Sequence, residues 1–471
     1  MKYDYDLICI GLGPAGMAVS IMGSEMGLRV CAVEKDRVGG ECMNIGCIPS
    51  KSLLRISKYR HSPLKLKEMD LLDAFELPEL DSPFPRIAEY LGYISSKKTM
   101  KMFEKVDLVL GEGPARFIDS HRVQVNGKNY SAQRIFIATG TKPHVPPIEG
   151  IGDIGFLTNE NVFSQDKVPE SMVIIGGGAI GCEMAQAFSR LGCRCTIVHM
   201  DDYLLPHGNR EAGDLLEEVF IKEGIEVYNS RILVSATLED GKVCLYTSDG
   251  LRLSGEKLLL AAGRKTDFSE LDLDKAGVKY EGSRIMVDSR YRTSAGNIYA
   301  VGDCNSQVLL SHAAMHQGMI ALMNAVSPLG LFRFRNYVIP WTVFTEPQVS
   351  YVGMREGELH NKGIRYQQVT VKYEDYGAAI AENVGTGYLT VYVSRFGRVY
   401  GAGIVGEGSG EMINEWALVI QKRINLLSIL FLAHSFPTMG FLSKRVAETW
   451  MMEKMQRPLL KKICRFFYRN T

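Results

Sequence analysis

A chain of 471 residues exceeds what one hydrophobic core supports, since cores stop growing at roughly 250–300 residues, so several domains are expected. Charged residues make up 23% and hydrophobic residues 46%, with a formal net charge of +1, a composition that fits a globular enzyme and offers no global basicity for nucleic acid. The opening MKYDYDLICIGLGPAG lacks the pattern of a cleaved signal peptide, and no uninterrupted apolar stretch reaches the roughly 20 residues that span a bilayer, so a cytoplasmic location is expected.

Residues 3–10 form an apolar β-type run, and Gly11-Leu-Gly13-Pro-Ala-Gly16 then opens a helix expected to reach about Gly27. A second strand, Arg29–Val33, ends in Glu34. Strand, glycine turn, helix, strand and acid at this spacing form a dinucleotide-binding unit. Its glycines permit a tight turn and close backbone approach to a pyrophosphate. The helix N-terminus offers N–H groups and a positive dipole end, and Glu34 is placed to accept from a ribose.

Cys42-Met-Asn-Ile-Gly-Cys47-Ile-Pro-Ser-Lys51 follows directly. Four residues between the cysteines, one of them glycine, allow a disulfide across the first turn of a helix, whose N-terminus favours thiolate. Lys51, four residues after Cys47, falls on the same helical face. Two ordinary core cysteines are implausible immediately after a nucleotide unit.

A helical stretch is expected from Lys51 to about Lys105, interrupted by the Pro-rich Leu77–Pro85, and then a strand at Arg134–Thr139 leads into Gly140. The dinucleotide pattern recurs at 172–199, with strand Ser171–Ile175, turn Gly176-Gly-Gly178-Ala-Ile-Gly181, helix Cys182–Leu191 and strand Cys195–Val198 ending at His199. One glycine turn alone is weak evidence. Two, each in full βαβ context, are strong. Asn297–Val301 leads into Gly302-Asp303. From about Tyr337 come alternating β-type runs (Thr342–Phe344, Gly387–Val393, Val399–Val405), two helices and a cationic tail.

The fold class expected is α/β, with two Rossmann-like dinucleotide-binding domains and a C-terminal α+β domain. The boundaries read as 1–150 with 266–335, an inserted 151–265, and 336–471. The remaining cysteines, among them Cys9, Cys31, Cys182, Cys244 and Cys304, read as small buried hydrophobes. Cys193 and Cys195 enter a strand with no histidine near them, so no metal site is expected.

These motifs together resemble the flavoprotein pyridine nucleotide–disulfide oxidoreductases. The resemblance spans nearly the whole chain: Gly11–Gly16, Gly39 through Lys51, Ala138-Thr-Gly140, Gly176–Glu183, Ala262-Gly-Arg264 and Val301-Gly-Asp303. It implies FAD and NAD(P)H as cofactors and a homodimer formed through the C-terminal domain. Gly11, Gly13, Gly16 and Glu34 would hold the adenosine half of FAD, with Thr139, Gly140 and Asp303 lining the rest. Gly176, Gly178, Gly181, Gly263 and the strand-end His199 would form the nicotinamide-nucleotide site. Lys51 would sit near the flavin, paired with Glu183. Cys47 would be the flavin-facing thiolate and Cys42 the outer thiol that attacks a small-molecule or small-protein acceptor.

The chain departs from the resembled family at its C-terminal signature, His-x-His-Pro-Thr-x-Ser-Glu, in which the second histidine is the acid/base and the glutamate orients it. Here the stretch is His434-Ser-Phe436-Pro437-Thr438-Met-Gly-Phe441. Pro437-Thr438 sets the register, so Phe436 takes the base position and Phe441 the glutamate position. Neither can move a proton, and His434 reads as structural. An acceptor needing little proton help is expected: a low-pKa thiol or persulfide, a metal ion such as Hg(II), or a quinone. The chain looks closest to a mercuric-reductase-like branch with an aromatic residue before Pro-Thr. Unlike mercuric reductase it has no adjacent cysteine pair near the C-terminus, where Cys464 stands alone.

At the nicotinamide site His199 replaces the ribose-binding glutamate of the NAD-specific members, and no arginine pair awaits a 2′-phosphate. Asp201 and Asp202 would repel such a phosphate, which favours NADH. From Lys454 to Thr471 the tail carries six cations and no acid. A helix from Pro458 puts Leu459, Leu460, Ile463, Phe466 and Phe467 on one face, and Lys461, Lys462, Arg465 and Arg469 opposite. That pattern suits residues 458–469 to peripheral contact with an anionic inner membrane face, or to packing on the protein's own dimer. Two alternatives to a soluble-acceptor reductase stay open: a quinone reductase at the membrane surface, and a flavin-bound redox sensor.

Overall fold

A computed structural model describes residues 3–76, 82–94, 99–327, 329, 331–333 and 337–470, leaving aside the side chains of Leu459, Leu460 and Asn470. Two compact units emerge: Met1–Pro206 with Glu217–Arg335, and His207–Leu216 with Asn336–Thr471.

In the first unit, strand β1 (Tyr5–Ile10) lies parallel between β2 (Val30–Glu34) and the long strand Lys128–Ile137. Asp107–Leu110 extends the β2 edge, and Ile298–Ala300 pairs in parallel with the far side of Lys128–Ile137. All of β2 is buried, as befits a parallel strand covered on both faces. Ile8, Val33, Phe117, Ile135 and Ile298 belong to this core. Helix α1 (Pro14–Glu25) packs on the helix Ser311–Val326, and a Cβ at Gly318 would meet the Ala15 carbonyl oxygen at 2.6 Å. Only glycine lets the two helices approach that closely.

A second parallel sheet orders Glu226–Tyr228, Arg194–Val198, Ser171–Ile175 and Lys257–Leu260. Val173, Val198, Leu245 and Leu258 fill its core, the third from an antiparallel three-stranded sheet beside it. Both βαβ units thus stand where the glycine turns place them.

The helical stretch expected from Lys51 to Lys105 is shorter and broken. Helix α2 (Gly40–Asn44) and helix α3 (Cys47–Glu68) precede a separate helix, Phe84–Ile94, and a 3₁₀ turn at Met100–Phe103. Of the expected Pro-rich interruption, 77–81 lie outside the described residues.

The second unit is built on a five-stranded antiparallel sheet, ordered Trp341–Val343, Val349–Gly353, Val399–Val405, Tyr388–Val393, Gln367–Lys372. Trp416 and Trp450, from the helices Ser409–Gln421 and Phe441–Met455, are buried in its core. Two helices were expected after Tyr337; the described residues hold six. Three of the extra ones have only five or six residues, too few to display a 3.6-residue period. One of these, Leu426–Phe431, is started by the Asn425 side chain accepting from the Leu427 N–H. Among the described residues no helix is long and apolar enough to cross a membrane.

Candidate functional site

The two glycine turns are built alike. A Cβ at Gly11 would meet the Ala138 carbonyl oxygen at 2.5 Å, and one at Gly176 the Ala261 oxygen at 2.4 Å. Each first glycine therefore lets the turn lie against the next strand end. A Cβ at Gly16 would lie 1.8 Å from the Gly11 oxygen, and one at Gly181 1.9 Å from the Gly176 oxygen, so any side chain there would push helix away from turn. Gly13 and Gly178 are the N-caps of α1 and of the helix Ala179–Arg190, with no side-chain cap and open space on the Cβ side. Helix N–H groups facing open space above a close-packed turn fit a pyrophosphate at both places.

The residues at the ends of the two second strands behave differently. Glu34 is buried, and its Oε2 and Oε1 accept from Leu12 N–H (2.7 Å) and Asp36 N–H (2.9 Å). Burial raises its pKa against those two hydrogen bonds. It braces the glycine turn through Leu12. His199 is also buried, and its Nε2 lies 2.6 Å from Asn229 Oδ1. Its ring lies over Gly177, where a Cβ would come within 2.7 Å of it. His199 thus packs beneath its turn, and Asp201 reaches only to 3.7 Å from its Nδ1.

The cysteine pair does not span the first turn of one helix as its spacing suggested. Cys42 lies in the short α2 and Cys47 begins α3, with a break at Ile45–Gly46. At Gly46 a Cβ would meet the Glu41 oxygen at 2.9 Å, so glycine lets the chain fold back and bring the two sulfurs together. Both stand as thiols, and each is half-buried. The hydrogen bond from Cys42, then those from Ser311 and the Lys51 charge, bring the Cys47 thiol down to about 6, against its burial. The same bond and burial push Cys42 up.

Lys51 does lie one turn along α3, and its Nζ donates to both Glu183 oxygens at 3.0 and 2.8 Å. Glu183, on the helix of the second glycine turn, has a side chain only 5% exposed. The helix that begins at Cys47 and the helix of the second glycine turn are thereby tied together.

Asp303 follows the strand Ile298–Ala300 after Gly302 and is raised to about 6, chiefly by burial, with the Arg264 charge opposing. Arg264 bonds Thr141 Oγ1 at 2.6 Å and pairs with Glu41. Thr139 and Gly140, the latter at φ +67°, lead into that cluster. Gly263, beside Arg264, has φ +99°. Sequence reasoning missed Ser311, Thr141 and Glu41 as neighbours of these groups. Glu41 and Arg264 lay within motifs and were given no role; Ser311 and Thr141 lay in none.

In the second unit, Phe436 is 71% exposed and lies edge-on to Phe441, with ring centroids 5.4 Å apart. Phe441 is parallel to Tyr376 at 6.1 Å, and His434 meets its edge. The His434 Nε2 lies 3.1 Å from Glu415 Oε1, so the histidine is oriented by a carboxylate absent from the expected signature.

The sequence pattern of the family described as "Pyridine nucleotide-disulphide oxidoreductase" matches residues 5–318, and that of its dimerisation domain matches 339–444. A dihydrolipoyl dehydrogenase of Thermus scotoductus is 33% identical over 93% of this chain and 95% of its own. A mercuric reductase of Acidithiobacillus ferrooxidans is 31% identical over 96% and 84%. Among solved structures, the HOCl-induced flavoprotein disulfide reductase RclA of Escherichia coli superposes with a TM-score of 0.84 at 25% identity, covering 95% of this chain and all of that one. The dimerisation domain supports a homodimer. Paired glycine turns, an adjoining cysteine pair, and these matches over both parts of the chain make the protein a member of the pyridine nucleotide–disulphide oxidoreductase family, an FAD-dependent, NAD(P)H-oxidising disulfide oxidoreductase.

Proposed function

We propose that this enzyme passes electrons through Cys42 and Cys47 to an acceptor that needs no proton from the Phe436 position. Bound NAD(P)H and FAD would supply hydride transfer and an electron pair. Gly11, Gly13, Gly16 and Glu34 hold the adenosine half of FAD, and Thr139, Gly140 and Asp303 line its remainder. Gly176, Gly178, Gly181 and Gly263 receive the nicotinamide nucleotide, with His199 supporting their turn. Residues 1–150 with 266–335, 151–265 and 336–471 are the corresponding domains.

Cleaving the disulfide consumes two electrons and one proton, leaving Cys42 as thiol and Cys47 as thiolate. Lys51, held by Glu183, stabilises that charge. Cys42 then attacks the acceptor, its proton passing to the reduced acceptor or to solvent as the Cys42–Cys47 disulfide re-forms. The observation that carries this reading is the Cys47 sulfur at the start of α3, 3.3 Å from Ser311 Oγ, with Cys42, Ser311 and Lys51 all acting to lower its pKa. Because Phe436 and Phe441 offer no base, the acceptor class is a persulfide or a disulfide whose leaving thiol has a low pKa, a soft metal ion or a quinone. Asp201 and Asp202 favour NADH.

The test is thiol trapping. One equivalent of NADH added without oxygen to the oxidised flavoprotein should make Cys42 and Cys47 alkylatable, while the exposed Cys464 reacts before and after. Failure of both sites to gain label would overturn the disulfide route.

A specific observation favours work at a membrane surface on the cytoplasmic side. The helix Pro458–Asn470 is present, with Ile463, Phe466 and Phe467 exposed along one face and Lys461, Lys462, Arg465 and Arg469 along the other. The side chains of Leu459 and Leu460 lie outside the described residues. Exposed aromatics beside a cationic face complement anionic lipid. The protein should co-sediment with phosphatidylserine vesicles and not with phosphatidylcholine vesicles. Phe466→Glu with Phe467→Glu should abolish that binding and leave NADH oxidation intact. Equal binding to both vesicles, or a loss of dimer in the variant, would instead assign the helix to another role.

A further inference from the structure

We propose that Ser311 is a positioning residue of the thiol pair, its hydroxyl donating to the Cys47 sulfur so that the negative charge of the reduced pair rests on that atom. The proposal deepens the reading above, resting on Cys47 as the flavin-facing sulfur. Ser311 Oγ lies 3.3 Å from Cys47 Sγ, within the range of a hydrogen bond to sulfur. The hydroxyl also interacts with Cys42, so one side chain serves both sulfurs.

Its placement is built into the fold. Ser311 is the first residue of the helix Ser311–Val326, whose N-cap, Leu310, has no capping side chain. That helix is drawn against α1 at Gly318 and Ala15. A displacement of either helix would therefore carry Ser311 away from the sulfurs.

The groups facing Cys47 come from several elements. Cys42 from α2, Lys51 from α3 and Ser311 favour the thiolate. Glu183, from the helix Ala179–Arg190, and Asp303, after the strand Ile298–Ala300, oppose it, as does burial. Two carboxylates against one lysine leave no surplus of positive charge. A neutral donor at hydrogen-bond distance supplies the remainder without adding to either side. The need is greater in this chain, because Phe436 and Phe441 put no histidine or glutamate in the positions that would manage the pair's proton.

The reduced pair holds two electrons and one proton. With Ser311 donating to Cys47, the proton stays on Cys42. Without that bond the charge is less stabilised on Cys47, and its pKa rises. A hydrogen bond to a charged group corresponds to roughly tenfold or more in the ionisation constant, so the midpoint should move up by about one pH unit.

The test uses the flavin-loaded full chain carrying Cys42→Ser, so that Cys47 titrates alone. Two readouts are taken against pH: the rate at which iodoacetamide alkylates Cys47, and the long-wavelength absorbance of a thiolate against flavin. Ser311→Ala should raise the alkylation midpoint by about one pH unit. Ser311→Thr should keep it near that of serine, whereas the isosteric Ser311→Val should raise it as alanine does. Should alanine fail to fold, the threonine and valine pair decides alone, since the two differ only in the hydroxyl. An unmoved alkylation midpoint would overturn the role of Ser311, even with the absorbance band intact. A moved midpoint with no band at any pH would uphold Ser311 and instead refute the flavin-facing assignment of Cys47.

Discussion

Cys47→Ser should reduce NADH-driven disulfide reduction to background while leaving the protein yellow and able to oxidise NADH. Flavin retention follows from the glycine turn and Glu34, none of which touches Cys47. Loss of turnover follows because the variant cannot form the Cys42–Cys47 disulfide, so no electron pair can be stored on sulfur. The substitution should also remove the long-wavelength thiolate band. Cys42→Ser should behave in the opposite way spectroscopically, because the Cys47 thiol, whose pKa is lowered by Cys42, Ser311 and Lys51, keeps the last two beside it. That band should therefore be present without reductant at neutral pH and fade on acidification. The sign follows from the direction of the shift, since lowering the pH through the thiol's pKa protonates the sulfur. Turnover of Cys47→Ser within roughly tenfold of wild type, in an enzyme class where rates span several decades, would mean that electrons leave by another path.

Wild-type protein should reduce lipoamide poorly, by about the 10²–10⁴ that general acid–base catalysis contributes. Flavin reduction by NADH should stay fast, because Lys51, Glu183 and the second glycine turn are in place. The double substitution Phe436→His with Phe441→Glu supplies the missing pair in principle, a histidine oriented by a carboxylate. Phe441 lies parallel to Tyr376 and meets the rings of Phe436 and His434 at their edges. A carboxylate put among those rings lacks obvious donors apart from the new histidine and the neighbouring His434. The gain in disulfide reduction should therefore be modest, with the NADH half-reaction unchanged. The deciding measurement is the wild-type rate with lipoamide. A rate on the order of hundreds per second would show that a proton reaches the outer thiol by another route, and would sink the case for an unusual acceptor. The His434–Glu415 pair is the first place to look for that route.

Local sterics and local periodicity were legible in the chain itself. A turn in which a Cβ at the last glycine would strike the first glycine's oxygen admits only glycine, so Gly11–Gly16 and Gly176–Gly181 mark both strand–turn–helix units without reference to anything distant. Lys51 is one helical turn from Cys47, and that spacing alone put it on the correct face. Pro458 opened the last helix where its fixed φ predicted, because a first-turn proline forfeits no hydrogen bond. The break between Cys42 and Cys47 was hidden, since the spacing fits one helix or two and the choice falls to Gly46 packing under Glu41. Ser311 was hidden more deeply. It lies 264 positions from Cys47, in no motif, and becomes a partner only because the helices at Ala15 and Gly318 close on each other. His199 was placed correctly at a strand end, yet its direction was decided by Asn229, thirty residues on, which draws the ring beneath the turn. Short-range geometry follows from which backbone angles and side-chain sizes are allowed at each residue. Which donor meets which thiolate depends on how separate elements pack, and that was settled only in the folded protein.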